Sequence, residues 1–141
     1  MGFSPAWGGG LVTGATMANF CGLAAARHAL LERAGWDVEH QGLFGAPPIQ
    51  VVVGEEVHAS VLKALALPGF GRERVLRVPV DAQGRMRATA LPPLDPPLDP
   101  RTVICVQAGN VNTGAFDPVA EICARAREAG AWVHVDDAFG I

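Results

Sequence analysis

The sequence predicts an α/β fold of three layers, α/β/α, around a mostly parallel sheet. Short apolar runs of strand type alternate along the chain with longer segments that carry apolar residues at three- and four-residue spacing. Half of the residues are hydrophobic, only 18% are charged, and 17 glycines provide frequent turns. Strands that alternate with helices favour a parallel sheet covered on both faces.

The first predicted helix extends from Thr16 to Gly35. Thr16 is its expected N-cap, and Gly35 stands where a left-handed residue ends a helix. A later helix is expected over 117–130, with Asp117 as its N-cap and Gly130 after its last turn. The remaining predicted elements are strands over 49–53, 74–80, 102–107 and 131–136, a helix over 58–67, and an extended proline-rich surface linker over 92–100.

Composition excludes several classes of function. The net charge is −3 and the arginines are scattered, which argues against a nucleic-acid partner. No charge-free apolar run of about 18 residues predicts a membrane span, and the first residues do not have the pattern of a signal peptide. We expect a cytoplasmic protein without a metal site, because the cysteines form no ligand pair. Cys21, Cys105 and Cys123 are expected to be buried free thiols.

Ligands of parallel sheets bind beyond the carboxyl ends of the strands, where three candidate features lie. The glycine-rich segment 8–19 leads into a helix N-terminus that favours an anion, although an ordinary glycine turn with a Thr cap explains it equally well. His58 begins a helix, where a neutral imidazole suits ring stacking or simply caps that helix. Asp136 and Asp137 end a strand, so one is expected to face a ligand and the other solvent, unless both are turn acids.

Four blocks in order extend these local patterns to a family: VTGATMAN, HASVLKA, AGNVNTGAFDPVAEI and WVHVDDAFG. Over residues 10–140 the chain resembles the group II pyridoxal-phosphate-dependent amino-acid decarboxylases, which are fold-type-I enzymes. The resemblance implies that residues 1–141 form part of the large, aspartate-aminotransferase-like domain. It also implies that the lysine that binds the cofactor covalently, and the small domain, lie beyond this segment.

The resemblance assigns site residues one by one. His58 matches the histidine stacked on one face of the pyridine ring, and Ala138 the alanine against the other face. Asp136 matches the aspartate paired with the pyridinium nitrogen, so Asp136 and His58 are the expected catalytic residues. Asp137 is expected to be structural. Three residues match the loop that holds the cofactor phosphate: Gly14, Ala15 and Thr16.

Some positions depart from the family pattern. Met17 stands where the family usually has Glu, and Asn110 and Val111 replace the commoner pair of threonines, so contacts of that pair do not carry over. Thr113 is a candidate replacement. Lys63 is the only lysine, and we expect it at the surface rather than bound to the cofactor.

The expected function is that of a carboxy-lyase fragment that cradles pyridoxal phosphate, is inactive alone, and belongs to a homodimer acting on an amino acid. Two alternatives remain: an aminotransferase or other α-carbon lyase fragment, and a non-catalytic binding module of the same fold. As an isolated segment the chain is expected to expose an apolar sheet edge and to be marginally stable.

Overall fold

The structure, a computed structural model, describes residues 8–91 and 99–139. Its helices are α1 (Ala15–Arg33), α2 (Val38–Gln41), α3 (Ala59–Ala66) and α4 (Val119–Ala129), with a short 3₁₀ turn at Ala88–Ala90. Its strands are β1 (Gln50–Gly54), β2 (Leu76–Val78), β3 (Thr102–Gln107) and β4 (Trp132–Asp136). Most of the predicted linker over 92–100 lies outside the described residues.

The four strands form one parallel sheet in the order β2-β1-β3-β4. Alternate strand residues face opposite sides, and each side has its own core. Val51, Val53 and Val103 pack with α1 and α3, whereas Val52 and Ile104 pack with α4 and the segment around the 3₁₀ turn. The predicted three-layer α/β/α class is therefore confirmed.

The ends of the two long helices differ from the prediction. Helix α1 has Gly14 as its N-cap residue, with no side-chain cap, so Thr16 lies inside the first turn and does not cap it. Asp117 does not cap α4 either, since Pro118 occupies that position and the Asp117 carboxylate turns towards the sheet. The predicted glycine ends are present, because Gly35 and Gly130 both have positive φ.

The strand predicted over 74–80 is shorter than expected and contains only Leu76–Val78. Pro79 follows immediately, and a residue without a backbone N–H cannot continue the hydrogen-bonded ladder. The chain then folds back through a turn in which the Asp81 carboxylate binds Arg85, and Val80 pairs antiparallel with Met86.

The prediction that all three cysteines are buried is wrong for Cys21, which is exposed, and Cys123 is only half-buried. Helical geometry explains the exposure of Cys21. Asn19 and Leu23, two residues before and two residues after it, face the core, so Cys21 lies on the opposite side of the helix. Cys105 lies in the centre of β3, where burial and the charge of Asp136 raise the pKa of its thiol to about 12.

The order of the strands defines the edge where a site is expected. The chain leaves β1 into α3 on one face of the sheet, and it leaves β3 into α4 on the other face. Such a reversal opens a crevice between the carboxyl ends of β1 and β3. Within the described residues, no helix is both long and apolar enough to cross a bilayer.

Candidate active site at the carboxyl ends of the strands

A small pocket opens at this edge of the sheet. It brings together three of the sequence-predicted residues, which come from the start of α3, the end of β4 and the turn after it: His58, Asp136 and Ala138. Four further residues complete its lining: Gln107, Gly109, Val111 and Phe139. The predicted phosphate-binding residues Gly14–Thr16 do not line it.

Asp136 is the most unusual residue of the pocket. It is the last residue of β4, in register with Gln107 of β3, and only 7% of it is exposed. Its backbone oxygen accepts a hydrogen bond from Ala108. No residue in the described part of the chain donates a hydrogen bond to its carboxylate, which opens onto the pocket. A buried carboxylate is costly without a cationic or donating partner, so this group is suited to binding one.

His58 is the N-cap residue of α3, and its ring is exposed at the pocket. The Ser60 N–H donates to the His58 Nδ1 over 3.2 Å, and the Ser60 hydroxyl lies 2.8 Å from the same nitrogen. The imidazole thus caps its own helix, as one of the two interpretations from sequence proposed. Capping does not exclude stacking, because it occupies one ring nitrogen and leaves the ring faces open.

Gln107 is a residue of the site that sequence reasoning missed. Its side chain bridges β3 to the turn before α3. The Gln107 Oε1 accepts from the His58 backbone N–H over 3.1 Å, and the Gln107 Nε2 donates to the Glu56 backbone oxygen over 3.2 Å. This clamp fixes the backbone that carries the imidazole. The signal was available in the sequence, because Gln107 is a polar residue at the carboxyl end of an otherwise apolar strand.

The N-terminus of α1 approaches the same edge. Gly14 adopts φ 154° and ψ 177°, which side-chain-bearing residues rarely adopt. Among the described residues, nothing accepts a hydrogen bond from the N–H of Ala15 or Thr16. One turn further on, Asn19 contacts both Ser60 of α3 and His134 of β4, so the positive end of the α1 dipole points to the carboxyl edge of the sheet.

The loop after β3 is held together by its own side chains. The Asn110 Oδ1 accepts from the N–H groups of Asn112 and Thr113, and its Nδ2 donates to the Glu56 carboxylate. The Thr113 hydroxyl donates to the Gln83 backbone oxygen, and neither residue lines the pocket. Thr113 therefore does not take the place of the family's threonine pair in the pocket. Val111 contributes an exposed apolar side chain to the lining.

Neither of the two remaining candidates, Asp137 and Lys63, lines the pocket. Asp137 follows the end of β4 and is half-buried, with its Oδ1 lacking a donor among the described residues. Lys63 is exposed in the last turn of α3 and does not line the pocket. Phe139, by contrast, was not selected from the sequence, and its ring is 3.1 Å from where a Cβ on Gly109 would stand.

Comparison with known proteins gives a consistent result. The family model described as "Pyridoxal-dependent decarboxylase conserved domain" matches residues 2–140. Tryptophan decarboxylase 1 of Oryza sativa subsp. japonica is 32% identical over 140 residues, covering 94% of this chain and 26% of that protein.

Solved structures of similar proteins agree with the fold. The glutamate decarboxylase domain of a diaminobutyrate-pyruvate transaminase and L-2,4-diaminobutyrate decarboxylase from Vibrio parahaemolyticus superposes with a TM-score of 0.78 at 28% identity, covering 92% of this chain and 29% of that one. The Oryza sativa TDC bound to PLP and tryptamine gives 0.70 at 27% identity, covering 85% and 26%. The chain thus spans about a quarter of the length of the relatives it matches.

Proposed function

We propose that this chain, which belongs to the pyridoxal-dependent decarboxylase family, forms the cofactor-binding part of an enzyme that removes the α-carboxyl group of an amino acid. One observation carries the proposal: Asp136 is buried at the strand end, receives no hydrogen bond from the described residues, and shares a pocket with the exposed ring of His58. Family membership identifies pyridoxal phosphate as the cofactor to which this arrangement is fitted.

The Asp136 carboxylate suits a protonated pyridine nitrogen. Such a nitrogen supplies both the positive charge and the donated hydrogen bond that this carboxylate lacks within the described chain. Pyridoxal phosphate, when bound, withdraws electrons from the bonds at the α-carbon of the substrate. The role we assign to Asp136 is to keep a proton on the ring nitrogen, and the sheet holds the carboxylate in position for it.

His58 and Ala138 are the residues we propose for the two faces of the ring. The imidazole is held by Ser60 and by the Gln107 clamp, so it meets a flat ligand without further ordering. Ala138 offers a small apolar surface from the turn after β4. The free N–H groups of Ala15 and Thr16 at the start of α1 are the proposed donors to the cofactor phosphate, with Gly14 allowing its close approach.

Decarboxylation is favoured over transamination because the family model and curated relatives such as tryptophan decarboxylase 1 and L-2,4-diaminobutyrate decarboxylase are named for decarboxylation. Their names include an aromatic substrate, tryptophan, and a basic one, diaminobutyrate, so we propose an amino acid as the substrate class. We also propose that residues 1–141 are part of a large domain, and that the protein containing them is a cytoplasmic homodimer.

The experiment is an assay of the complete protein that contains this chain. Purified protein is loaded with pyridoxal phosphate and incubated with a panel of amino acids, and released CO₂ and the corresponding amines are quantified. Release of both in equal amounts is the expected result. Amino-group transfer to an added 2-oxo acid without CO₂ would replace the proposal with the aminotransferase alternative, and no binding of cofactor would favour the non-catalytic module.

A further inference from the structure

A line of hydrogen bonds runs from the sheet to the imidazole of the candidate site. His134 of β4 lies with its Nε2 2.7 Å from the Asn19 Oδ1, the Asn19 Nδ2 lies 3.4 Å from the Ser60 Oγ, and the Ser60 Oγ lies 2.8 Å from the His58 Nδ1. Asn19, Ser60 and His134 are all buried. We call these three residues and His58 the relay.

The chemistry of the donors gives the relay one direction. A backbone N–H only donates, so the His58 Nδ1 that receives the Ser60 N–H carries a lone pair, and the proton of the neutral ring is on Nε2. An amide nitrogen also only donates, so the Asn19 Nδ2 donates to the Ser60 Oγ. Because an unprotonated Nδ1 can only accept, the Ser60 O–H donates to this nitrogen as well.

The far end of the relay is consistent with this direction. The Asn19 Oδ1 only accepts, so His134 must donate from Nε2. Burial lowers the pKa of His134, which keeps the ring neutral although the Asp136 charge opposes that shift. Gly22 provides the space for this ring, because a Cβ there would lie 2.9 Å from its Cε1 and Nδ1 atoms.

We propose that Asn19, Ser60 and His134 are positioning residues that keep the His58 Nδ1 a hydrogen-bond acceptor, with a ring proton on Nε2 and the ring plane fixed. The directions of the hydrogen bonds support this orientation of His58. Only the use of that orientation in binding the cofactor rests on the proposed function. That use is to present a ring face of fixed orientation to the cofactor ring that Asp136 is proposed to bind.

The decisive variant is Asn19→Asp. A carboxylate accepts from both neighbours, so the Ser60 O–H turns towards residue 19 and its oxygen becomes an acceptor facing His58. Ring ¹⁵N chemical shifts of His58 are recorded by NMR on the complete, cofactor-free protein, with the His58→Ala spectrum giving the assignment. We expect the Nε2–H pattern in the unchanged protein and a substantial Nδ1–H population in Asn19→Asp.

A second pair of variants keeps the test valid if that substitution prevents folding. Ser60→Ala removes the hydroxyl and leaves only the backbone N–H on Nδ1, so a minor Nδ1–H population is expected, and Ser60→Thr, which keeps a hydroxyl, should restore the original pattern. His40, exposed and bound to Asp37, is the reference whose shifts stay constant. Unchanged His58 shifts in the folded Asn19→Asp or Ser60→Ala protein would overturn the relay.

Cofactor affinity separates failure of the relay from failure of the proposed function. Pyridoxal phosphate is titrated by absorbance, and Asn19→Asp is expected to weaken its binding roughly three- to tenfold, the range for one disrupted hydrogen bond. Gln83→Glu adds the same charge at an exposed position and should leave affinity unchanged. Equal affinity in Asn19→Asp and the unchanged protein contradicts the use of the relay. No binding by the unchanged protein contradicts the proposed function, whatever the shifts.

Discussion

Two aspartates at the carboxyl edge of the sheet are equally buried and differ in their partners. Asp117, between β3 and α4, and Asp136, at the end of β4, are each 7% exposed. The Asp117 carboxylate accepts from the backbone N–H of Met86 over 2.6 Å and from that of Gln107 over 2.7 Å. The Asp136 carboxylate accepts from none of the described residues and faces a pocket.

The difference separates an acid that joins segments of the fold from the acid to which we assign a binding role. Asp117 joins three segments by completing the hydrogen bonds of buried backbone, although burial raises the pKa of its carboxyl above the usual value. Asp136 gives the fold no comparable bond, and its charge acts on its neighbours by raising the pKa of Cys105 and opposing the lowered pKa of His134. Burial alone therefore does not distinguish these two carboxylates, whereas the presence or absence of hydrogen-bond donors does.

The largest expected effect is on activity, from Asp136→Ala. We expect kcat/KM of the complete enzyme to fall about a thousandfold, or about 4 kcal/mol of transition-state stabilisation, because the cofactor nitrogen loses its anionic partner. Thermal unfolding should change little, since no hydrogen bond within the described chain is lost. Turnover near that of the unchanged enzyme, in a variant that binds the cofactor, would rule out the assigned role.

Asp117→Ala should have the opposite effects, a loss of stability with activity largely kept. It leaves the N–H groups of Met86 and Gln107 buried without an acceptor, at a cost of about 3 kcal/mol in the free energy of unfolding. Denaturant unfolding of the complete protein measures the loss, and activity below the transition should be largely kept. If Asp117→Ala abolished turnover in folded protein while stability was unaffected, the contrast between the two acids would be wrong.

A smaller effect appears in the pH dependence of stability, through His134. Its folded pKa is lowered, so the unfolded chain takes up the proton first as the pH falls below about 6.5. Stability is therefore kept above that pH and decreases below it, with a slope of at most about 1.4 kcal/mol per pH unit for one proton.

His134→Gln tests this dependence, because Gln keeps an N–H donor for Asn19 and does not titrate. Melting temperatures of the two proteins are compared at pH 8 and pH 6, and the unchanged protein should lose more on acidification. In the protein that keeps His134, Asp136→Asn removes the charge that opposes the lowered pKa of His134, so the loss of stability should extend to lower pH. Asp117→Ala should not change the pH range of that loss. An equal loss of melting temperature in the original protein and in the Gln variant would contradict the role assigned to His134 in this pH dependence.

Much of the architecture was predictable because it depends on local patterns. The apolar runs of β1, β3 and β4 and the periodic spacing of α1, α3 and α4 each fall within one stretch of sequence. Helix ends were harder, since the Thr16 prediction treated a first-turn residue as a cap. The Asp117 prediction failed because Met86, 31 residues away, supplies a donor to its side chain.

The candidate site was predictable in part, for the same reason. The placement of His58 and Asp136 at strand ends follows from sequence order and from the rule for parallel sheets. Gln107 was missed because its role is defined by two partners in another loop, about 50 residues away, which no local pattern indicates.

The sequence by itself determined the alternation of strands and helices, the layer class and the chain positions at which polar residues meet strand ends. These features follow from side-chain periodicity and backbone preferences over a few residues. Only the tertiary structure decided which buried acid is satisfied, and only it brought Asn19 to His134 across 115 residues of chain. Hydrogen bonds act over about 3 Å, so the partner of a buried polar group is fixed by packing rather than by sequence order.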